Sequence, residues 1–173
     1  MSGRGILEPD SPDPVVSPFV VLVDTREQKP YTFDRLWSGP AGKSPRIVVR
    51  TQPAALAHGD YGLQGFSGIA IERKSKEDLY ASVSLRRDNF TKRLDRMEED
   101  LDWAAVVVEC EWGELLTSPP RHTQYSPKSL TRTMLAWMQR YPRIHWIFAP
   151  SRDHAEAFTY RLLERYHTDH KSI

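Results

Sequence analysis

Gly59-Asp60-Tyr61 and, beyond a glycine-bearing turn, Ile69-Ala70-Ile71-Glu72-Arg73-Lys74-Ser75 place two carboxylates and a lysine at the ends of what read as neighbouring strands. In an extended chain alternate residues share a face, so Glu72 and Lys74 point one way and Arg73 the other. Gly62, Gly65 and Gly68 break the segment between Leu63 and Ile69, which predicts a hairpin whose register could bring Asp60 opposite Glu72. Two hard oxygen ligands at one spot suit Mg²⁺ or Mn²⁺, which keeps most of its waters and takes one or two protein carboxylates. A lysine beside such an ion can orient or polarise an attacking water and offset charge building on a phosphoryl centre. The same residue types on a polar strand face also make an ordinary solvated salt bridge, so neighbouring segments must decide between the two.

A second acidic pair strengthens the first reading. Residues 18–23 form a continuous apolar run that ends in Asp24-Thr25-Arg26-Glu27, the pattern of a buried strand with charged residues at its end. Buried sheets present active-site residues at such strand ends. In this order, Asp24-Thr25-Arg26-Glu27, Gly59-Asp60 and Glu72-Arg73-Lys74, with Asp78 four residues beyond the lysine, the chain resembles the nuclease domain of the XPF-type structure-specific DNA endonucleases. The resemblance extends from about Val20 to Tyr166. It implies an α/β restriction-endonuclease-like core, a mixed central sheet flanked by helices. Eukaryotic relatives carry a helicase-like region before this domain and tandem helix-hairpin-helix domains after it. The present chain ends soon after the nuclease-like segment, so the resemblance implies a stand-alone form similar to the short ones of bacteria and phages. Substrate choice is left open, because junction recognition in the family rests partly on the C-terminal module.

The resemblance further implies metal-assisted hydrolysis of a DNA phosphodiester by in-line attack of water, with Mg²⁺ or Mn²⁺ as Lewis acid and water activator. Asp60 and Glu72 are the expected direct ligands, the backbone carbonyl of Arg73 a further one, and Lys74 the group that orients water or stabilises transition-state charge. Asp24 completes the acidic cluster, directly or through a water, and could help build a second metal site. Glu27 either holds a metal-bound water or fixes the neighbouring arginine. The expected substrate is DNA that is branched or contains single-stranded regions, in repair or recombination. One alternative is a non-catalytic DNA-structure-binding or scaffold protein; degenerate subunits of that kind typically lose the acidic cluster and lysine, all of which remain here. A second is an unrelated α/β domain whose carboxylates only make surface salt bridges.

A chain of 173 residues supports one domain with a hydrophobic core, expected over residues 18–167 between a flexible N-terminal tail, 1–17, and a C-terminal tail, 168–173. The single cysteine, Cys110, argues against a disulfide framework and suits a reducing cytosol as a buried thiol. No apolar run approaches about 18 residues and the N-terminus is rich in Pro, Asp, Gly and Ser, so neither a membrane span nor a signal peptide is expected. The expected location is intracellular and cytoplasmic, nucleoid-associated in a bacterium. With a net charge of only +1, nucleic-acid binding must come from a local patch. Within residues 84–101, Phe90, Leu94, Met97 and Leu101 repeat at helical spacing as a buried stripe, leaving Lys92, Arg93 and Arg96 towards solvent and Arg86 and Arg87 at the helix start. With Arg26 these are the candidate DNA contacts. A solvated helix carrying Arg–Glu pairs with Glu98 and Glu99 is the competing reading.

The remaining elements must position these residues. Strands are predicted at 46–50, 104–109 and 144–148. Helices are predicted at 75–83, with Ser75 as N-cap and Asp78 as its capping partner, at 128–140 after Ser126-Pro127, and at 152–166, burying Ala155, Phe158, Leu162 and Tyr166. A Pro-rich loop fills 117–127. His58 could touch a phosphate or carry a proton, whereas His167 and His170 read as a frayed end more readily than as metal ligands. Trp112, Trp137 and Trp146 read as core, while Tyr31 and Trp37 could stack on an unpaired base. The resemblance implies a homodimer, with the helix at 128–140 and the last helix as the expected interface; the apolar surface of Leu130, Met134, Trp137 and Met138 is a hint in that direction, and its burial within the monomer is the competing reading.

Overall fold

A computed structural model describes residues 12–171. Its elements run β1 (Val15–Asp24), β2 (Ile47–Ala54), β3 (Tyr61–Leu63), β4 (Phe66–Lys74), α1 (Lys76–Val83), α2 (Arg87–Asp100), β5 (Trp103–Val108), α3 (Trp112–Thr117), α4 (Pro127–Arg140), β6 (Ile144–Phe148) and α5 (Arg152–His170). The strands form one sheet in the order β2-β1-β3-β4-β5-β6. β3 is antiparallel to both β1 and β4, and every other pair is parallel. This is the mixed, helix-flanked restriction-endonuclease-like sheet that the sequence predicts.

Each sheet face has its own core, and the two-residue period of β4 decides which residues enter which. Ala70 packs with Val106, Val108 and the apolar sides of α1, α2 and α4. Ile69 and Ile71 pack with Ala105, Val107, α5 and the aromatic loop after β1. Continuing this alternation to the strand end sends Glu72 and Lys74 to the α2 side and Arg73 to the α5 side. β5 is buried on both faces, so its Ala-Ala-Val-Val-Val run is apolar throughout.

The β3–β4 hairpin forms as expected, with Tyr61 opposite Ile71 and Gly65 at positive φ in the turn. The amide of Asp60 donates to the carbonyl of Ile71 at 2.8 Å, which sets Asp60 beside Glu72. Gly59 precedes it at φ +66, and a Cβ there would lie 2.8 Å from the Ile71 carbonyl oxygen. The α2 stripe of Phe90, Leu94 and Met97, followed by Leu101, is buried as predicted, and Cys110 is a buried free thiol.

Several boundaries differ from expectation. β1 begins at Val15, inside the expected N-terminal tail, where Ser17 is buried. Residues 1–11 of that tail, and 172–173 of the C-terminal one, lie outside the described residues. α5 continues to His170, its last turn tied by Arg165 to Asp169 at 2.8 Å and by stacking of His170 on Tyr166. Its buried face carries Ala155, Glu156, Thr159, Tyr160, Leu163 and Tyr166, leaving Phe158 and Leu162 half-buried. The stripe is turned because Glu156 goes inside to accept the backbone N–H of Phe33. Leu130, Met134 and Trp137 of α4 are buried in the monomer core and Met138 packs partly against it, while Leu135 of the same helix stays exposed. Among the described residues no helix is long and apolar enough to cross a membrane.

Gly59→Ala is expected to destabilise the fold by about 1 kcal/mol or more, from its positive φ and the contact with Ile71. Each kcal/mol lowers the melting temperature by about 2–4 °C. Gly65→Ala, also at positive φ but with nothing within 4 Å, should show a smaller fall in the same melting experiment.

Candidate active site

The ends of β1 and β4 and the residue preceding β3 open into one cavity of about 500 Å³. It is lined by Asp24, Glu27, Asp60, Glu72, Arg73 and Lys74, with Arg26, Asp78, Arg86 and Arg93 also on its walls. The whole acidic set singled out in the sequence, and its lysine, are therefore brought together.

Glu72 is 1% exposed. Its Oε1 accepts from Lys74 Nζ at 2.6 Å, and Arg93 Nη2 donates to its Oε2 at 3.2 Å. Lys74 also sits over the Phe90 ring, with Nζ 4.6 Å from the centroid. Arg93 was expected to face solvent. It is exposed, with 44% of its side chain open to solvent, and its guanidinium also reaches Glu72, because α2 lays its buried Phe90–Leu94 face against the sheet and the arginine stem beside that face spans to the buried carboxylate.

Among the described residues Asp60 accepts through Oδ2 alone, from the amide of Arg73 at 2.7 Å. Burial and the adjacent Glu72 charge push its carboxyl up to about 7, against the pull of the Arg73 amide and Lys74. Asp24 behaves oppositely. Hydrogen bonds from the Arg26 side chain, supported by the amides of Arg26 and Leu56, hold its carboxyl down at about 2 despite burial. Glu27 accepts from the Lys29 amide at 2.7 Å and lies 3.7 Å from Arg73 Nη1. It thus faces Arg73, while Arg26 belongs to Asp24.

Carbonyls alternate sides along a strand. Since Ile71 O accepts from Asp60 and Lys74 O accepts from Glu109, the Arg73 carbonyl turns to the Asp60 side. Among the described residues no three His, Cys, Asp or Glu side chains are gathered closely enough to hold a metal alone. Asp60, Glu72 and the Arg73 carbonyl nevertheless form a sparse, all-oxygen set, which fits a hard, largely hydrated Mg²⁺ or Mn²⁺.

Other candidates separate. Arg86 pairs with Asp78 at the lip, at 3.0 Å, and Asp78 also caps α1 through Ser75. Arg87, Lys92 and Arg96 are exposed along α2. His58 lies outside the cavity and pairs with Asp100 at 3.0 Å. Tyr31 is not free to stack on a base: it is buried, stacks on Tyr61 at 5.0 Å and donates its hydroxyl to Glu109 at 3.0 Å. Trp37 is half-buried under the Arg46 guanidinium. His167 packs on Phe19 and Phe66. Glu109, which closes the apolar run of β5 just as Asp24 closes that of β1, is the residue that sequence reasoning passed over.

The ERCC4 domain model matches residues 23–162, most of the chain. The chain belongs to the ERCC4 domain family. Membership makes it a domain of a DNA nuclease family. Its fold is similar to that of XPF from Aeropyrum pernix, with 22% identity and a TM-score of 0.60 over 84% of this chain and 65% of that one. It is also similar to XPF from Aeropyrum pernix in complex with DNA, with 21% identity and a TM-score of 0.59 over 87% and 66% of the two chains. The ERCC4 domain chain thus spans just under two thirds of those structures' length. No curated protein sequence matches it.

The raised Asp60 carboxyl has a consequence for stability. Between pH 3.8 and about 7 the folded ERCC4 domain binds a proton that the unfolded chain releases, so stability falls as pH rises through that window. In metal-free buffer, Asp60→Asn should melt above the wild type once the pH exceeds 7, and the difference should vanish below pH 3.8. Thermal melts across pH in a chelator check this.

Proposed function

We propose that this chain is a Mg²⁺- or Mn²⁺-dependent DNA endonuclease acting on branched or single-strand-containing DNA, in repair or recombination. The carrying observation is the convergence of Asp60, Glu72, the Arg73 carbonyl and Lys74 in one cavity at the strand ends. Asp60, Glu72 and the Arg73 carbonyl would hold the ion, which when bound supplies Lewis-acid activation of the phosphodiester and its attacking water. Lys74, fixed between Glu72 and the Phe90 ring, keeps its ammonium in a dry, preorganised position where it stabilises charge developing on the phosphate. Asp24 has its oxygens occupied by Arg26 and Leu56 and acts through water and through Arg26. Arg26, with 72% of its side chain exposed, meets the strand at the mouth. Glu27 steadies Arg73 from the β1 side.

Arg86 at the lip and Arg87, Lys92 and Arg96 along α2 supply phosphate contacts, and Arg93 adds one from the cavity wall. The solved XPF complex with DNA supports DNA as the substrate class. The reading implies an intracellular setting. A second copy of this chain remains a proposed partner on the family resemblance alone.

Asp60→Asn and Glu72→Gln should abolish metal-dependent cleavage of a labelled fork while the fold survives, and Lys74→Ala should slow it by about 10²–10³-fold. Wild-type cleavage by Lys74→Ala at saturating Mg²⁺ would remove the lysine from the chemistry. Tight fork binding by the wild type without any cleavage would favour the scaffold alternative.

Neutralising Arg87, Lys92 and Arg96 together should reduce the slope of log affinity against log salt by about 0.7–0.9 for each phosphate that no longer meets a cation. An unchanged slope would return this face to an ordinary solvated helix.

A further inference from the structure

We infer that Glu109 is a positioning residue of this site, setting the Arg73 backbone, whose amide holds Asp60 and whose carbonyl would face the ion; the inference rests on the metal-dependent reading above. Glu109 follows β5, on the face of the sheet opposite Glu72 and Lys74. Its carboxylate grips Arg73 with two bonds, Nε to Oε1 at 2.7 Å and Nη2 to Oε2 at 2.9 Å. The Glu109 amide simultaneously donates to the Lys74 carbonyl at 2.8 Å. One residue therefore pins the last two residues of β4, one by its side chain and the other by its backbone.

The same carboxylate collects two further segments. Arg152, the first residue of α5, donates Nη1 to Oε1 at 2.8 Å, and its Nη2 donates to the carbonyls of Lys29 and Pro30. Tyr31 adds its hydroxyl at 3.0 Å. The loop carrying Glu27 and the strand carrying Glu72 and Lys74 are thus tied to one buried anion. Arg73 and Glu109 have side chains only 10% and 11% exposed, so solvent compensates either charge poorly. If the negative charge is removed, Arg73 and Arg152 face each other across Tyr31 with only Glu27, 3.7 Å from Arg73, to compensate. Arg73 is then drawn towards Glu27, and its peptide, the donor to Asp60 Oδ2, moves with it. Partners that orient metal-binding groups in this way commonly contribute about 10–100-fold in metal affinity.

The test is Mn²⁺ affinity of the full chain without DNA, read from the paramagnetic resonance of free Mn²⁺, alongside metal-free melting. Glu109→Gln keeps the shape and removes the charge. The expected result is Mn²⁺ binding weakened by about 10–100-fold, with cleavage lost at low metal and recovered at high metal. Arg73→Gln/Glu109→Gln should bind no more weakly than Arg73→Gln alone, because both act through one peptide. Should Glu109→Gln fail to fold, Tyr31→Phe, which deletes only the hydroxyl bond to Glu109, should weaken Mn²⁺ in the same direction by a smaller factor. A folded Glu109→Gln, or a folded Tyr31→Phe in its place, with wild-type Mn²⁺ affinity overturns the inference and leaves the nuclease reading standing. A wild type that neither binds Mn²⁺ nor cleaves DNA overturns both.

Discussion

Three charged residues in succession close a strand in the interior of a sheet, and in that position none of them can be left to water. Burying an unpaired charge is expensive enough that the surrounding fold must supply a partner for each. The pleat sends Glu72 and Lys74 to one side, where they pair with each other and with Arg93. It sends Arg73 to the other side, where Glu109 pairs with it, Tyr31 lies under it, and the same Glu109 also binds Arg152. Both helical layers are thereby fastened to the end of β4, α2 through Phe90 and Arg93 and α5 through Arg152. Satisfying these charges is the same act as assembling the cavity.

Two aspartates at neighbouring strand ends then acquire opposite characters. Asp24, saturated with donors, is held ionised and serves as an anchor for Arg26 and the Leu56 segment. Asp60, half-buried beside Glu72 and accepting the Arg73 amide, resists ionisation. Environments that push paired carboxylates apart in this way separate a structural role from a chemical one. A cation bound at Asp60 would accordingly be coupled to release of its proton.

Much of this was legible in the chain itself. The period of two in Ile69–Lys74, glycines at the turn, and apolar spacing at Phe90, Leu94 and Met97 are local signals, and each element formed as those signals dictate. What escaped was set by tertiary partners. Glu109 meets Arg73 across 36 residues and Arg152 across 43, and Tyr31 reaches it across 78; no local pattern encodes those meetings. Helical phase located Arg93 on a polar face but could not show that its stem folds back to Glu72. The short α3 falls below the length at which periodicity speaks. In α5, ranking residues by hydropathy put Phe158 and Leu162 inside, when a hydrogen-bonding requirement at Phe33 had claimed Glu156 for the interior.

The central claim is that Asp60, Glu72 and the Arg73 carbonyl together make a cation site. An anomalous difference map from crystals grown with Mn²⁺ tests it most directly. The account predicts a peak within reach of the Asp60 and Glu72 carboxylates and the Arg73 carbonyl. A crystal grown in millimolar Mn²⁺ that shows no peak there, or one held by other residues, would contradict it.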